Sequence, residues 1–134
     1  MTPVFVDTSG IVALMWSRDK WHRAAKVAWR RLLAARTPLV TTDLVLAESV
    51  ALARSRGGYE VSVKLGEALR KPPFEITWST PDRIDDAWSL YKKYGDHELS
   101  LCDCVSFAVM LDRGATTAFA YDGDFEEVGF IRAR

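Results

Sequence analysis

The stretch Leu99–Leu111 reads Leu-Ser-Leu-Cys-Asp-Cys-Val-Ser-Phe-Ala-Val-Met-Leu: thirteen residues, none of them Gly or Pro, with Asp103 as the only charge. That is about the length of an average globular helix, and a helix apolar on all sides is buried rather than laid on a surface. At about 100° per residue, Asp103 shares a face with Leu99, Phe107 and Met110. An ionised carboxylate taken out of water requires hydrogen bonds, a cationic partner or a metal, and no Lys or Arg lies in the run. Ser100 followed three residues later by an acid is also a capping box. Asp103 therefore reads as a helix cap or as a functional acid, and the choice turns on whether other acids are placed in the same way.

They are. Val4-Phe5-Val6 reads as a strand that stops at the turn and capping residues Asp7-Thr8-Ser9-Gly10. Asp7 is the only charge between Pro3 and Ser17, again either a cap or an acid at a strand end. Asp19 opens an amphipathic helix through Trp21, Ala25, Ala28 and Leu32, whose basic side carries Lys26, Arg30, Arg31 and Arg36. His22 has no partner at ligand spacing and reads as structural. Leu39-Val40-Thr41 is a short strand, and Thr42 or Asp43 caps a helix that runs to Arg56 and ends at Gly57-Gly58. Between Asp43 and Arg54 the only charge is Glu48, too far inside to be a cap, leaving a functional acid or a buried salt bridge.

Tyr59–Arg70 reads as a further amphipathic helix and Phe74–Trp78 as a strand. Thr80-Pro81-Asp82 announces a helix that Gly95 stops, and Asp96-His97-Glu98 links it to the Asp103 helix. After Arg113-Gly114, Ala115–Tyr121 reads as a strand ending at Asp122-Gly123-Asp124-Phe125, a standard turn pair that also sets a fourth acid at a strand end. Phe130-Ile131 reads as a last edge strand. Strands alternating with long helices imply right-handed crossovers and an α/β fold with a mainly parallel sheet covered on both faces.

A chain of 134 residues without repeat or linker suits a single domain, 1–134, with one core. Formal net charge is zero, so no overall electrostatic pull toward nucleic acid or membrane is expected. Cys102 and Cys104, the only cysteines, point to opposite sides of a helix and read as small core residues in a reducing compartment. With no signal-like amino terminus and no apolar run of about eighteen residues, a cytoplasmic location is expected.

In parallel α/β sheets, ligands bind outside the carboxyl ends of the strands near a topological switch point, where Asp7 and Asp122 fall. Glu48 and Asp103 reach the same edge if the topology is regular. Four carboxylates there cannot all ionise unaided, because like charges raise one another's pKa. A hard divalent cation held by carboxylate and water oxygens is the natural remedy, and it permits metal-assisted phosphodiester hydrolysis with no covalent nucleophile.

Val6-Asp7-Thr8-Ser9, Ala47-Glu48-Ser49, the run Leu99–Met110 and Tyr121-Asp122-Gly123-Asp124-Phe125, in that order and across nearly the whole chain, resemble PIN domains, specifically the VapC-like toxin ribonucleases. The resemblance implies a three-layer α/β/α sandwich, Mg²⁺ or Mn²⁺ dependence, cleavage of single-stranded or loop RNA, a homodimer, and a cognate VapB-like antitoxin. By the same resemblance Asp7, Glu48, Asp103 and Asp122 form the acidic quartet, with Asp7 and Asp103 foremost as metal ligands. Thr8, Ser9, Asp96 and Asp124 are supporting or substrate-contacting residues. A basic rim from Arg23, Lys26, Arg30 and Arg56 is expected around the acidic centre.

Three rivals differ at named positions. A haloacid dehalogenase-type phosphotransfer fold expects an acid two residues after Asp7, where Ser9 stands. A receiver domain expects a late lysine, and none follows Lys93. A PIN-like module without catalysis, serving binding or assembly, is the non-enzymatic alternative; it must retain four such acids without an ion.

Overall fold

The computed structural model describes residues 1–134. Five strands, β1 (Val4–Val6), β2 (Leu39–Thr42), β3 (Phe74–Thr77), β4 (Thr117–Phe119) and β5 (Ile131–Arg132), form one sheet in the order β3-β2-β1-β4-β5. All four pairings are parallel, so the expectation of a mainly parallel sheet is met in full. The seven helices are α1 (Thr8–Met15), α2 (His22–Ala34), α3 (Asp43–Gly57), α4 (Tyr59–Leu69), α5 (Pro81–Lys93), α6 (Leu101–Arg113) and α7 (Asp124–Glu127).

The order dictates the layers. Travel from β1 through β2 to β3 runs in one direction across the sheet and the return to β4 in the other, so right-handed crossovers put α1–α4 on one face and α5–α6 on the opposite face. Side-chain alternation agrees: Phe119 packs against Trp29 of α2, with ring centroids 5.6 Å apart. Phe5 stacks on Phe125, which meets Phe107 of α6 edge-on at 5.0 Å. This is the α/β/α sandwich. The switch point falls between β1 and β4, because the chain leaves β1 toward β2 and reaches β4 on the other side.

Sequence boundaries shift where caps decide them. Thr42 and Thr80 cap α3 and α5 through their side chains, as anticipated. Trp21 is the residue before α2, so that helix begins three residues after Asp19. The Ala115–Tyr121 strand is trimmed to Thr117–Phe119, and the last strand moves one residue on to Ile131–Arg132. The single turn α7 was not foreseen, since Asp122-Gly123-Asp124 reads as a loop; buried Phe125 fixes it against Phe5 and Phe107.

The turn and capping residues Asp7-Thr8-Ser9-Gly10 mark a helix start, with Asp7 as the cap and Gly10 inside α1. A Cβ there would sit 2.2 Å from the Phe119 carbonyl oxygen and 2.6 Å from that residue's ring, so only glycine lets α1 lie this close to β4. Gly10→Ala is expected to destabilise the fold by about 1–3 kcal/mol through overpacking, read as a lower urea midpoint at unchanged slope. A midpoint equal to wild type would show that α1 is free to move off β4.

Candidate active site

The carboxyl end of β1 and the amino end of α1 meet at Asp7. Its backbone N–H donates to the Phe119 carbonyl at 3.2 Å, extending the β1–β4 ladder by one bond. Its side chain caps α1: Oδ2 accepts from the Ser9 N–H at 3.0 Å and from the Ser9 hydroxyl at 2.7 Å. That hydroxyl in turn accepts from the Tyr121 N–H at 2.9 Å. Ser9 therefore joins the ends of the two central strands, and Asp7 Oδ1 is left without a protein donor.

Around Asp7 the structure gathers most of the residues singled out in the sequence. A cleft of about 380 Å³ is lined by Asp7, Thr8, Ser9, Glu48, Asp103 and Asp122, together with Asp19, Lys20, Trp21 and Tyr121. Thr8 meets α3 through the Ser49 hydroxyl, which donates to its Oγ1 at 3.3 Å, one residue from Glu48. Glu48 is exposed and forms no ion pair, which corrects the buried salt-bridge alternative. Asp103 is half-buried in the first turn of α6 rather than enclosed in its core. The capping box is also present: the Asp103 N–H donates to the Ser100 hydroxyl at 3.0 Å and the Ser100 N–H to the Asp103 carboxylate at 3.2 Å. Cap and cleft wall are the same residue.

Asp103, Asp122 and Asp124 each bring a carboxylate oxygen within 4.8 Å of the others. Asp124 thus stands beside the acids as closely as any of the quartet, although it was anticipated only in a supporting place. The Asp122 carboxylate accepts from the Asp124 N–H at 3.3 Å. No Lys or Arg forms an ion pair with Asp7, Glu48, Asp103, Asp122 or Asp124. Oxygen-only donors converging without an ion-paired Lys or Arg suit a hard divalent ion.

Asp96 is exposed in the link after α5 and does not line the cleft; closeness in sequence to Asp103 does not bring it in. Its neighbour His97 pairs with Glu127, 2.6 Å away. His22 is structural, its Nδ1 2.8 Å from the Ala13 carbonyl oxygen. Of the anticipated basic rim, Arg23 borders a groove next to the cleft, Lys26 and Arg30 do not, and Arg56 lies over the Trp16 ring at 5.4 Å. Asp19, Lys20, Trp21 and Tyr121 were not singled out for the site. Asp19 Oδ1 accepts from the Trp21 N–H at 2.8 Å, and Trp21 stacks on Tyr121 at 5.4 Å, a contact between residues a hundred apart that no local pattern announces.

Crowding and burial disturb the acids. Asp7 is pushed up from 3.8 to about 6, chiefly by burial and then by the charges of Asp103 and Glu48, against the lowering hydrogen bonds from Ser9. Asp122 is pushed up to about 7 by burial, then by Asp7, Asp103 and Asp124. Asp124 is raised too, by burial and by Asp103. Cys102 is pushed up to about 12 by burial and the surrounding acids, so its thiol stays protonated and inert.

A parallel α/β/α sandwich with an acidic cleft at the switch point is an architecture shared by several families that act on phosphoryl groups, and the chain belongs to the PIN domain family, whose model matches residues 4–131. It is similar to the 23S rRNA-specific endonuclease VapC20 of Mycobacterium tuberculosis, found in two strains, at 34% identity over 132 residues that cover 98% of both proteins. The crystal structure of Mycobacterium tuberculosis VapC20, described as a sarcin-ricin loop cleaving toxin, matches with a TM-score of 0.84 at 34% identity, over 96% of each chain.

The raised acids have a consequence for stability without metal. Asp7 and Asp122 hold protons more tightly in the folded chain than at the ordinary value of 3.8, so the folded state carries the excess protons between about pH 4 and 7. Stability contributed by these groups is present at low pH and lost as pH rises through that window. In EDTA, Tm is expected to fall between pH 5.5 and pH 8, and Asp122→Asn should raise Tm at pH 8 and flatten the fall. A pH profile identical in the variant would show that Asp122 is not strained by its neighbours.

Proposed function

We propose that this chain is a divalent-cation-dependent endoribonuclease, the toxin of a toxin–antitoxin pair, that hydrolyses phosphodiester bonds in single-stranded or loop RNA. The observation that carries the reading is the convergence of Asp7, Glu48, Asp103 and Asp122, from four separate segments, on one cleft with no pairing cation. The fold and the extended likeness to VapC20 support it. By the same likeness, the sarcin-ricin loop of 23S rRNA is the first substrate to test.

Asp103, Asp122 and Asp124 are the oxygens that would hold a Mg²⁺ or Mn²⁺ ion, with Asp7 Oδ1 and Glu48 available from the facing walls. When bound, such an ion supplies charge neutralisation, a polarised phosphoryl oxygen and an acidified water. Ser9 keeps one Asp7 oxygen occupied and so directs the other. Thr8 and Ser49 brace the helix that Asp7 caps against the helix that carries Glu48. Without a cation the cleft would repel the phosphodiester, so these acids define a substrate site only together with one.

The remaining elements of the reading are that residues 1–134 act as one domain, as a homodimer, in the cytoplasm, and are silenced by a VapB-like antitoxin. No helix of the structure is long and apolar enough to cross a membrane. The alternative, a PIN-like binding module without catalysis, has to explain why Asp7 and Asp122 are kept where burial and mutual repulsion strain them.

The test is cleavage of a sarcin-ricin-loop hairpin by the purified, antitoxin-free chain with Mn²⁺ or Mg²⁺ and with EDTA. Cutting is expected only with the metal and is expected to vanish in Asp7→Asn and Asp103→Asn. Both variants keep an acceptor for the capping bonds and should remain folded. A metal concentration about a hundredfold above its Kd should also stabilise the wild type by about 2.7 kcal/mol. No cutting of hairpin or unstructured RNA, with a Tm indifferent to Mn²⁺, would leave the binding module as the function.

Ser9→Ala removes the hydroxyl that joins Asp7 to Tyr121 while leaving all five carboxylates. A loss of about 10–100-fold in metal affinity or cleavage rate is expected, as for other residues that orient metal ligands. Wild-type activity and metal affinity in this variant would show that Asp7 needs no such hold.

A further inference from the structure

Next to the acidic cleft lies a second groove, of about 510 Å³, whose walls include Lys20, Trp21, Arg23, Arg31, Tyr121 and Arg132. The two share Lys20, Trp21 and Tyr121, so they adjoin across an aromatic wall. Arg132 braces that wall: its Nε donates to the Ala120 carbonyl at 3.1 Å, its outer nitrogen pairs with Glu126 at 2.7 Å, and its guanidinium covers the Trp21 and Tyr121 rings at 4.6 and 5.2 Å. Arg132 is thereby committed to structure.

Four further cations line the groove, Lys20, Arg23, Arg31 and Arg134; of these Lys20 lies over the Trp21 ring at 5.6 Å. Lys20, Arg23 and Arg31 are exposed, and none takes part in any of the four ion pairs of the chain. Arg23, Val27 and Arg31 recur every four residues and so lie on one stripe of α2; all three line the groove. At 1.5 Å per residue the two arginines stand about 12 Å apart along the helix. A solvated helix face has no need of a concavity, whereas these charges edge a groove of ligand size that adjoins a carboxylate cleft.

We propose that this groove, which rests on the endoribonuclease reading, binds the RNA immediately flanking the scissile bond. Arg23, Arg31 and Lys20 hold its phosphates, and Trp21, Tyr121 and Val27 give apolar surface to ribose and base. The argument is electrostatic. A chain of zero net charge with an acidic centre attracts no polyanion at long range. The attraction must come from unpaired cations beside the cleft, and binding of non-reacting nucleotides there places the reacting phosphate. Phosphate contacts of this kind govern binding and its salt dependence, not the bond-breaking step.

The test measures kcat and KM on the sarcin-ricin-loop hairpin at several salt concentrations for wild type, for Arg23→Ala/Arg31→Ala, and for the control Lys64→Ala/Arg70→Ala, on α4 and at the residue that ends it. Alanine preserves the helix in both double variants. The α2 variant is expected to raise KM by about tenfold or more while kcat falls far less. Its logarithmic salt slope of kcat/KM should be shallower by about 1.4, about 0.7 for each lost phosphate contact on a single strand. The control should match wild type. If wild type cuts and the α2 variant keeps its KM and salt slope, or the control loses as much, the groove is no substrate site while the nuclease reading stands. If wild type cuts no RNA, the nuclease reading fails and takes the groove's substrate with it.

Discussion

The approach of α1 to β4 is the constraint on which the cleft depends. Gly10 has the Phe119 carbonyl where a side chain would begin, and the bond from the Asp7 N–H to that carbonyl closes the same gap. With the helix held there, one serine hydroxyl reaches both the Asp7 carboxylate and the Tyr121 N–H. Tyr121 leads directly to Asp122, so two acids more than a hundred residues apart are set by a single side chain. A helix displaced by the width of a methyl group would break that chain of contacts at its first link. Close-packed interiors do not absorb such a shift without moving other atoms.

Capping and function, which the sequence presents as alternatives, are here one arrangement. Asp7 caps α1, Asp103 completes the capping box of α6, and Asp122 accepts the N–H of Asp124 at the entry to α7. An acid at a helix amino terminus is favoured by the free N–H groups and the dipole there. That local stabilisation fixes the rotamer of a carboxylate whose neighbours repel it. Crowding alone would drive these side chains apart or toward solvent, and Asp7 and Asp122 register the residual strain in their raised pKa values. Each cap uses one or two lone pairs and leaves others facing the cleft, which is what a cation site requires.

The fold was legible because strand and helix alternate with clean caps: Thr42, Thr80, Ser100 and Gly114 lie where turn and capping chemistry puts them. The acids were legible as charges in apolar runs, but their surroundings were not. The α3 run looks buried because alanine hides exposure: Ala47, Glu48 and Ala51 form its open side. Asp124 joins Asp103 only because Phe125 anchors α7 beneath Phe5 and Phe107, a tertiary contact that a turn-forming Asp-Gly pair conceals. Asp96 illustrates the opposite error, since proximity along the chain carries no weight once the link leaves it in solvent. Trp21 looked like one apolar residue in a helical stripe; its partner Tyr121 is at the other end of the sequence.

Net charge was the least informative number, because it averages two opposite fields. Acids converge at the sheet's switch point, and unpaired bases line α2 beside them. At physiological ionic strength each field reaches only about 8 Å into solvent, so a polyanion passing at a distance meets neither. One that arrives at the surface meets both, attracted along α2 and repelled at the carboxylates, where a bound divalent cation would reverse the sign. Under the proposed reading the arrangement separates holding a strand from cutting it: the bases would contribute to affinity whether or not a cation is present, and the acids would act on a phosphate only when one is. Trp21 and Tyr121, stacked on each other and covered by Arg132, line both the cleft and the groove and stand between the two fields. Opposite charges placed there instead would neutralise each other as an ordinary surface ion pair, worth little to the fold and nothing to the site.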